Sequence, residues 1–283
     1  MAMQVTLKDG TALPSIGQGT WYMGEDSSRK REEIKALQLG LDLGLEVIDT
    51  AEMYGEGLAE EVVGEAIKDR RDQAFLVSKV YPHNAGRPEI VTSCENSLKR
   101  LQTDYLDLYL LHWRGGVPLS ETVEGLEVLK SEGKIKRWGI SNFDVSDMEE
   151  LWSLPSGDQA QLNQVLYHLG SRGIEYDLIP WQKENQVPVM AYSPIAHGGK
   201  ERQRLLENKQ LKEVAEEYGV TPLQMALAWT IRTGQVLSIP KAVQEQHVRQ
   251  NAEAMAIELS QQALDQLDSA FPPPTSKQPL DII

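Results

Sequence analysis

The polar and apolar positions of this chain change rhythm after the first dozen residues. Residues 4–7 alternate, Lys8-Asp9-Gly10 has the composition of a turn and residues 11–13 return, which predicts an N-terminal β-hairpin. From Ile16 onward, short β-rich runs alternate with longer stretches whose apolar residues recur every three or four positions, the pattern of βα units on a parallel sheet. The predicted strands are residues 16–19, 47–50, 75–80, 107–111, 137–141, 161–164, 189–192 and 236–240. Helical stripes run between them, among them Ile34/Leu37/Leu41, Leu58/Val62/Ala66, Val91/Cys94/Leu98/Leu101, Met148/Leu151/Trp152 and Ile174/Leu178/Trp181. Gly44 and Gly133 stand where helices should end. Thr221-Pro222-Leu223-Gln224 combines a capping residue, a proline at the first helical position and a glutamine at the third, and predicts a helix start. Ser260 can cap a last helix, with Leu259 and Leu264 spaced as a hydrophobic staple, and the prolines 272, 273, 274 and 279 predict an irregular tail. Eight such units without a repeat or a break predict one α/β domain over residues 1–283: a (β/α)8 TIM barrel with an N-terminal β-hairpin and an irregular C-terminal tail.

Composition narrows the field. A length of 283 residues suits a barrel built as one unit, and 41% hydrophobic with 25% charged residues is ordinary globular usage. A formal charge of -14 repels phosphate backbones and acidic leaflets, so neither nucleic acid nor membrane is expected as a partner. An anionic cofactor would need a local basic pocket. The single cysteine, Cys94, excludes an internal disulfide and a multi-thiolate metal site; its spacing from Val91 and Leu98 reads as a buried helical residue. Residues 1–10 lack the apolar core of a signal peptide and no long apolar run follows, so a cytoplasmic protein is expected.

In such barrels the C-terminal strand ends face one opening, so polar residues there converge on a shared site. This chain carries one at nearly every strand end: Asp49-Thr50, Ser78-Lys79, His112, Ser141-Asn142, Asn163-Gln164, Tyr192-Ser193 and Lys241. Each has a plainer explanation alone. Asp49 can cap a turn, Tyr54 can be a half-exposed loop tyrosine, Lys79 can snorkel to the rim, and His112 can be structural. Together they permit carbonyl reduction. Hydride arriving at a carbonyl carbon leaves negative charge on oxygen, which needs a proton donor and dipoles aimed at it. Tyr54 can donate, Lys79 can stabilise the phenolate if Asp49 keeps it ionised, and His112 can orient the carbonyl as neutral imidazole.

The segments Ile48-Asp49-Thr50-Ala51 with Tyr54, Ser78-Lys79, Asp104 through Trp113, Gly139-Ile140-Ser141-Asn142-Phe143, Asn163-Gln164, Ala191-Tyr192-Ser193-Pro194 and Ile239-Pro240-Lys241 resemble the aldo-keto reductases over nearly the whole chain. Within that family, residues 49–55, 163–181 and 190–195 look most like bacterial methylglyoxal and small-aldehyde reductases. The resemblance implies NADPH as cofactor, Tyr54 as acid, Asp49 and Lys79 as its tuning pair, and His112 as the group that positions substrate. It implies nicotinamide contacts from Ser141, Asn142 and Gln164, with Tyr192 stacked on the ring unless it is a core aromatic. Gly19, Thr20, Trp21, Ser193, Pro194, Ile195 and His197 would line the rest of the dinucleotide track, although His197 reads nearly as well as a turn residue. Lys241, Ala242, His247 and Asn251 would meet the adenosine end. Here the chain departs from the common pattern, with Ala242 where a hydroxyl residue is frequent and His247 where an arginine is frequent, which weakens the preference for NADPH. Arg249 reads equally as added charge or as a surface pair.

The substrate pocket is expected between Trp21, Tyr22, Tyr54, Tyr81, His112 and Trp113, with the tail closing one side; Arg114 reads better as a rim charge than as a substrate ligand. A Rossmann site is excluded, because Trp21 and Tyr22 follow Gly17 and Gly19 where a third glycine should fall. No metal-ligand cluster is apparent, and a monomer is expected. Two other readings compete: an aldolase using Lys79 as a Schiff base, and a non-catalytic barrel that senses nucleotide.

Overall fold

A computed structural model describes residues 3–283; Met1 and Ala2, which open the stretch read as lacking a leader, lie outside the described residues. Strands β1 (Gln4–Thr6) and β2 (Ala12–Pro14) form the antiparallel hairpin. The next units run β3 (Gln18–Gly19), α1 (Lys30–Asp42), β4 (Val47–Asp49), α2 (Leu58–Ile67), β5 (Phe75–Val80), α3 (Glu89–Leu101), β6 (Leu108–Leu111) and α4 (Leu119–Ser131). They continue through β7 (Trp138–Ser141), α5 (Val145–Trp152), β8 (Asn163–Leu166), α6 (Leu178–Glu184), β9 (Val189–Tyr192), α7 (Gly199–Leu206), α8 (Lys209–Glu217), α9 (Pro222–Ile231), β10 (Val236–Ser238), α10 (Glu245–Ala254) and α11 (Gln261–Ala270).

Strands β3 to β10 pair in parallel in chain order. The seam is closed by a parallel bridge between Ile16 and Ser238, reinforced by Gly17 N donating to Ser238 O at 2.8 Å and Gly19 N to Pro240 O at 3.2 Å. Gly19 is needed at this seam, since a Cβ there would stand 2.6 Å from Ile239 O. The predicted (β/α)8 class therefore holds.

Side chains alternate along each strand, and the alternation builds the barrel in layers. Val47, Val77, Leu108, Leu110, Leu162, Met190 and Leu237 form one apolar cluster inside the barrel, and Val5, Leu7 and Leu13 of the hairpin join it. Ile48, Tyr109, Leu111, Ile140, Val165 and Ala191, of opposite parity, pack outward against the helices. One residue pair further along the inward register stand Asp49, Lys79, His112, Gln164, Tyr192 and Lys241. The site is thus the top polar layer of an otherwise apolar interior.

Several predicted boundaries move. The strand expected at 161–164 runs Asn163–Leu166, because its polar residues are buried within the sheet instead of ending it. The stripe Ile174/Leu178/Trp181 is split between a 3-10 turn at Gly173–Glu175 and α6. The strands expected at 16–19, 47–50, 107–111, 137–141 and 236–240 are each shorter by one or two residues. The helix stops and starts hold: Gly44 and Gly133 have φ of 83° and 74°, Thr221 and Gln224 form a capping box, and Ser260 accepts from Ala263 N at 3.2 Å. Cys94 is buried, and burial pushes its thiol up to about 12, which leaves it unreactive. Among the described residues no helix is long and apolar enough to cross a membrane.

Candidate active site

After β4 the chain turns through Gly55, Glu56 and Gly57, all with positive φ (56°, 55° and 94°), and this reversal sets Tyr54 against the end of β5. Lys79 Nζ, fully buried, lies 2.8 Å from Asp49 Oδ2, 2.9 Å from Thr50 O and 3.0 Å from the Tyr54 hydroxyl. Gln164 Nε2 donates to the other Asp49 oxygen at 2.7 Å. His112 stands beside Tyr54, ring centroids 5.8 Å apart and steeply inclined. Its Nδ1 is buried and meets no partner, which leaves Nε2 as the nitrogen open to the cavity.

Burial dominates the electrostatics. It pushes the Tyr54 phenol above its ordinary range; the Lys79 charge pulls the other way without overcoming it, and Asp49 adds to the rise. The phenol is therefore fully protonated at neutral pH, and the expected stabilisation by Lys79 acts only against that larger effect. Burial alone would lower Lys79, yet Asp49 and Tyr54 outweigh it and hold the ammonium above its usual value. Burial raises the Asp49 carboxyl, opposed by Lys79 and the Gln164 amide. Burial, then the Lys79 charge, push His112 well below the ordinary imidazole value, so the ring is neutral.

Asp49, Tyr54, His112 and Gln164 form the floor of a cavity of about 700 Å³, with Lys79 buried behind them. One wall comes from Gly19, Thr20, Trp21 and Tyr22, the facing one from Ser193, Pro194, Ile195, Ala196 and His197, and Ser141, Asn142, Gln164 and Tyr192 lie between. Trp21 and His197 approach across the gap, ring centroids 5.0 Å apart. Asn142 ties four strands together: its N donates to Gln164 O (2.9 Å), its Nδ2 to His112 O (3.2 Å), and its Oδ1 accepts from the Tyr192 hydroxyl (2.9 Å). Tyr22, Asn142, Ser193 and Ala196 hold φ of 67°, 59°, 48° and 64°, so left-handed backbone outside glycine gathers at this mouth.

The structure brings the four predicted catalytic residues together with most of the predicted binding residues. Tyr81 is not among the lining: the chain turns away after β5, and its ring stacks on His83 and meets Trp113 edge-on at 6.0 Å, bracing the wall from behind. Ala242, His247 and Asn251 also lie off the lining. Ala242 has the opposite parity to Lys241, and the other two belong to α10 in the outer ring. Arg249 pairs with Glu245 at 2.8 Å on the surface, and Arg114 pairs with Glu150 at 2.9 Å while bordering the cavity. Sequence reasoning missed Met53 and Arg202, which line it; Ile282 and Ile283 line it too, on the side the tail was expected to close. The two isoleucines follow a tail held by Lys277 to Asp144 and Asp177 and by Asp281 to Ser171, long-range contacts that leave no local signal.

A parallel barrel with an acid, a buried ammonium and a neutral imidazole at its mouth defines a class, and the Aldo/keto reductase family pattern matches residues 15–271: the chain belongs to that family. It is 55% identical over 272 residues to the methylglyoxal reductase YeaE of Escherichia coli (strain K12), covering 96% of each chain. It is 35% identical to a glyoxal reductase of Bacillus subtilis, covering 94% of this chain and 91% of that protein. A crystal structure of an aldo/keto reductase from Klebsiella pneumoniae in complex with NADP and acetate, 53% identical, superposes over 100% of both chains with a TM-score of 0.98.

Proposed function

We propose that this protein is an NADPH-dependent reductase of small aldehydes and ketones, with α-dicarbonyls such as methylglyoxal as its preferred class. The observation that carries the reading is the contact chain from Asp49 through Lys79 to the Tyr54 hydroxyl at the floor of an open cavity. The cavity's donor set suits a nicotinamide dinucleotide: an aromatic face in Tyr192, amides in Asn142 and Gln164, a hydroxyl in Ser141, and cations at Lys241 and Arg202.

When bound, the reduced nicotinamide supplies the hydride that the carbonyl carbon takes up. Negative charge then grows on the carbonyl oxygen, and Tyr54 gives it the phenolic proton, completing the alcohol's O–H bond. Lys79 stabilises the phenolate left behind, and Asp49 keeps Lys79 charged. His112, neutral, offers Nε2–H to the same oxygen and fixes its direction. Trp21, Tyr22 and Trp113, with Ile282 and Ile283, exclude water around a small substrate. A Schiff-base role for Lys79 is disfavoured, since an amine held protonated by Asp49 is a poor nucleophile. We take the protein to act as a monomer in the cytosol, where its one cysteine, buried, needs no oxidising compartment.

The test is a panel of aldehydes, ketones and dicarbonyls followed by loss of NADPH absorbance. Methylglyoxal is expected to show the highest kcat/KM, with NADH a weaker donor. NADPH binding without turnover on any member would favour the sensing barrel instead.

A further inference from the structure

The cations around the cavity are not equivalent. Arg114 donates to Gly115 O, Val117 O and Glu150; Arg249 is paired with Glu245, and Arg29 with Glu32. Arg202, on the first turn of α7, lines the cavity half-buried, and among the described residues no carboxylate or carbonyl oxygen lies within bonding reach of its guanidinium. In a chain with 42 acidic and 28 basic side chains, a half-buried arginine without a partner stands out, because partial desolvation of a cation is unfavourable until an anion meets it. Lys241 borders the same cavity from the end of β10, also without a salt bridge. Burial holds both cations below their ordinary pKa values.

The position matters as much as the charge. Arg202 follows the segment from Ser193 to Gly198 that walls the cavity opposite Gly19 to Trp21, and in the chain it comes after His197, whose ring meets Trp21. Tyr54, His112 and Gln164 occupy the floor, so Arg202 does not compete for the carbonyl. On α10, neither His247 nor the paired Arg249 borders the cavity.

We propose that Arg202 is a phosphate-binding residue for the dinucleotide, supplying from α7 a positive charge that α10 does not bring to the cavity. This rests on the reductase reading above. The guanidinium's planar fork suits two phosphoryl oxygens, whether of the diphosphate bridge or of the adenosine 2′-phosphate.

Dissociation constants for NADPH and NADH, read from quenching of the cavity's tryptophan fluorescence without substrate, test it. Arg202→Ala should weaken NADPH binding by about 10- to 100-fold, the loss expected for charge-assisted hydrogen bonds. An equal loss for NADH assigns the contact to the diphosphate, and a loss confined to NADPH assigns it to the 2′-phosphate; either supports the proposal. Arg202→Gln, measured beside it, keeps the test open if one variant fails to fold. Wild-type protein that binds nucleotide, with both variants within twofold of it for both nucleotides, would overturn this inference alone. Wild-type protein that binds neither nucleotide would overturn the reductase reading as well.

Discussion

Tyr54 can donate a proton only while it holds one, and His112 can donate to a carbonyl oxygen as neutral imidazole without carrying charge. Burial sets both states in the same direction for catalysis: it raises the phenol and depresses the imidazole. The expected consequence is a kcat/KM for carbonyl reduction that is level from about pH 6 to about pH 9, falling only as Tyr54 ionises above its ordinary value of about 10. An acidic limb with a midpoint near the unperturbed histidine value of about 6.5 would show that His112 titrates in the working range. At this scale much of the site was legible, because Asp49, Lys79 and His112 end apolar runs where a buried charge or imidazole asks for a partner. Residue pairs such as Ser78-Lys79 and Asn163-Gln164 needed strand parity to resolve. Ser78 faces outward to Glu60 and Asn163 to Gln182, while their neighbours face the cavity. Arg202 was missed because it lies among alternating charges, Lys200-Glu201-Arg202-Gln203-Arg204, that read as a solvated face.

The elements that could be read from sequence are those whose ends carry their own chemistry. Thr221 to Gln224, Ser260, Gly44 and Gly133 satisfy or release backbone groups within a few residues, so their signals are local. The segment after β8 lacked such signals and was misread, since it is fixed by distant partners: Arg172 bonds Glu175, Asp268 and the carbonyl of Phe271. His168 in this segment is buried, its Nδ1 accepting from Gly170 N, and burial lowers it to about 4 with Asp281 in partial opposition. The unfolded chain takes up that proton near its ordinary value while the folded chain refuses it until about 4, so stability is complete above the ordinary value and lost as pH falls. Chemical denaturation should show a loss of about 3 kcal/mol between about pH 6.5 and about pH 4, in addition to whatever His112 contributes. His168→Gln should flatten that slope, and an unchanged slope would mean that the ring is already accessible to protons.

Across the whole molecule, the eight-unit rhythm was enough to predict a barrel, because parallel strands separated by amphipathic helices have few other ways to bury both faces. What the rhythm does not contain is depth. The inward register passes from the hairpin's Val5, Leu7 and Leu13 through an apolar layer to Asp49, Lys79 and His112, and only the contacts between strands reveal that these gather around Tyr54. The closure at Ile16 and Ser238, and the return of the tail to the mouth, likewise depend on contacts between the two ends of the chain. The net charge of -14 acquires a local exception at Lys241 and Arg202, where an anionic ligand can be received. All of this converges on one phenol. Tyr54→Phe keeps the ring and removes the proton, so single-turnover and steady-state rates with methylglyoxal should fall by roughly 10²- to 10⁴-fold while the NADPH dissociation constant stays within about twofold. A Tyr54→Phe enzyme that turns over at the wild-type rate would contradict the account.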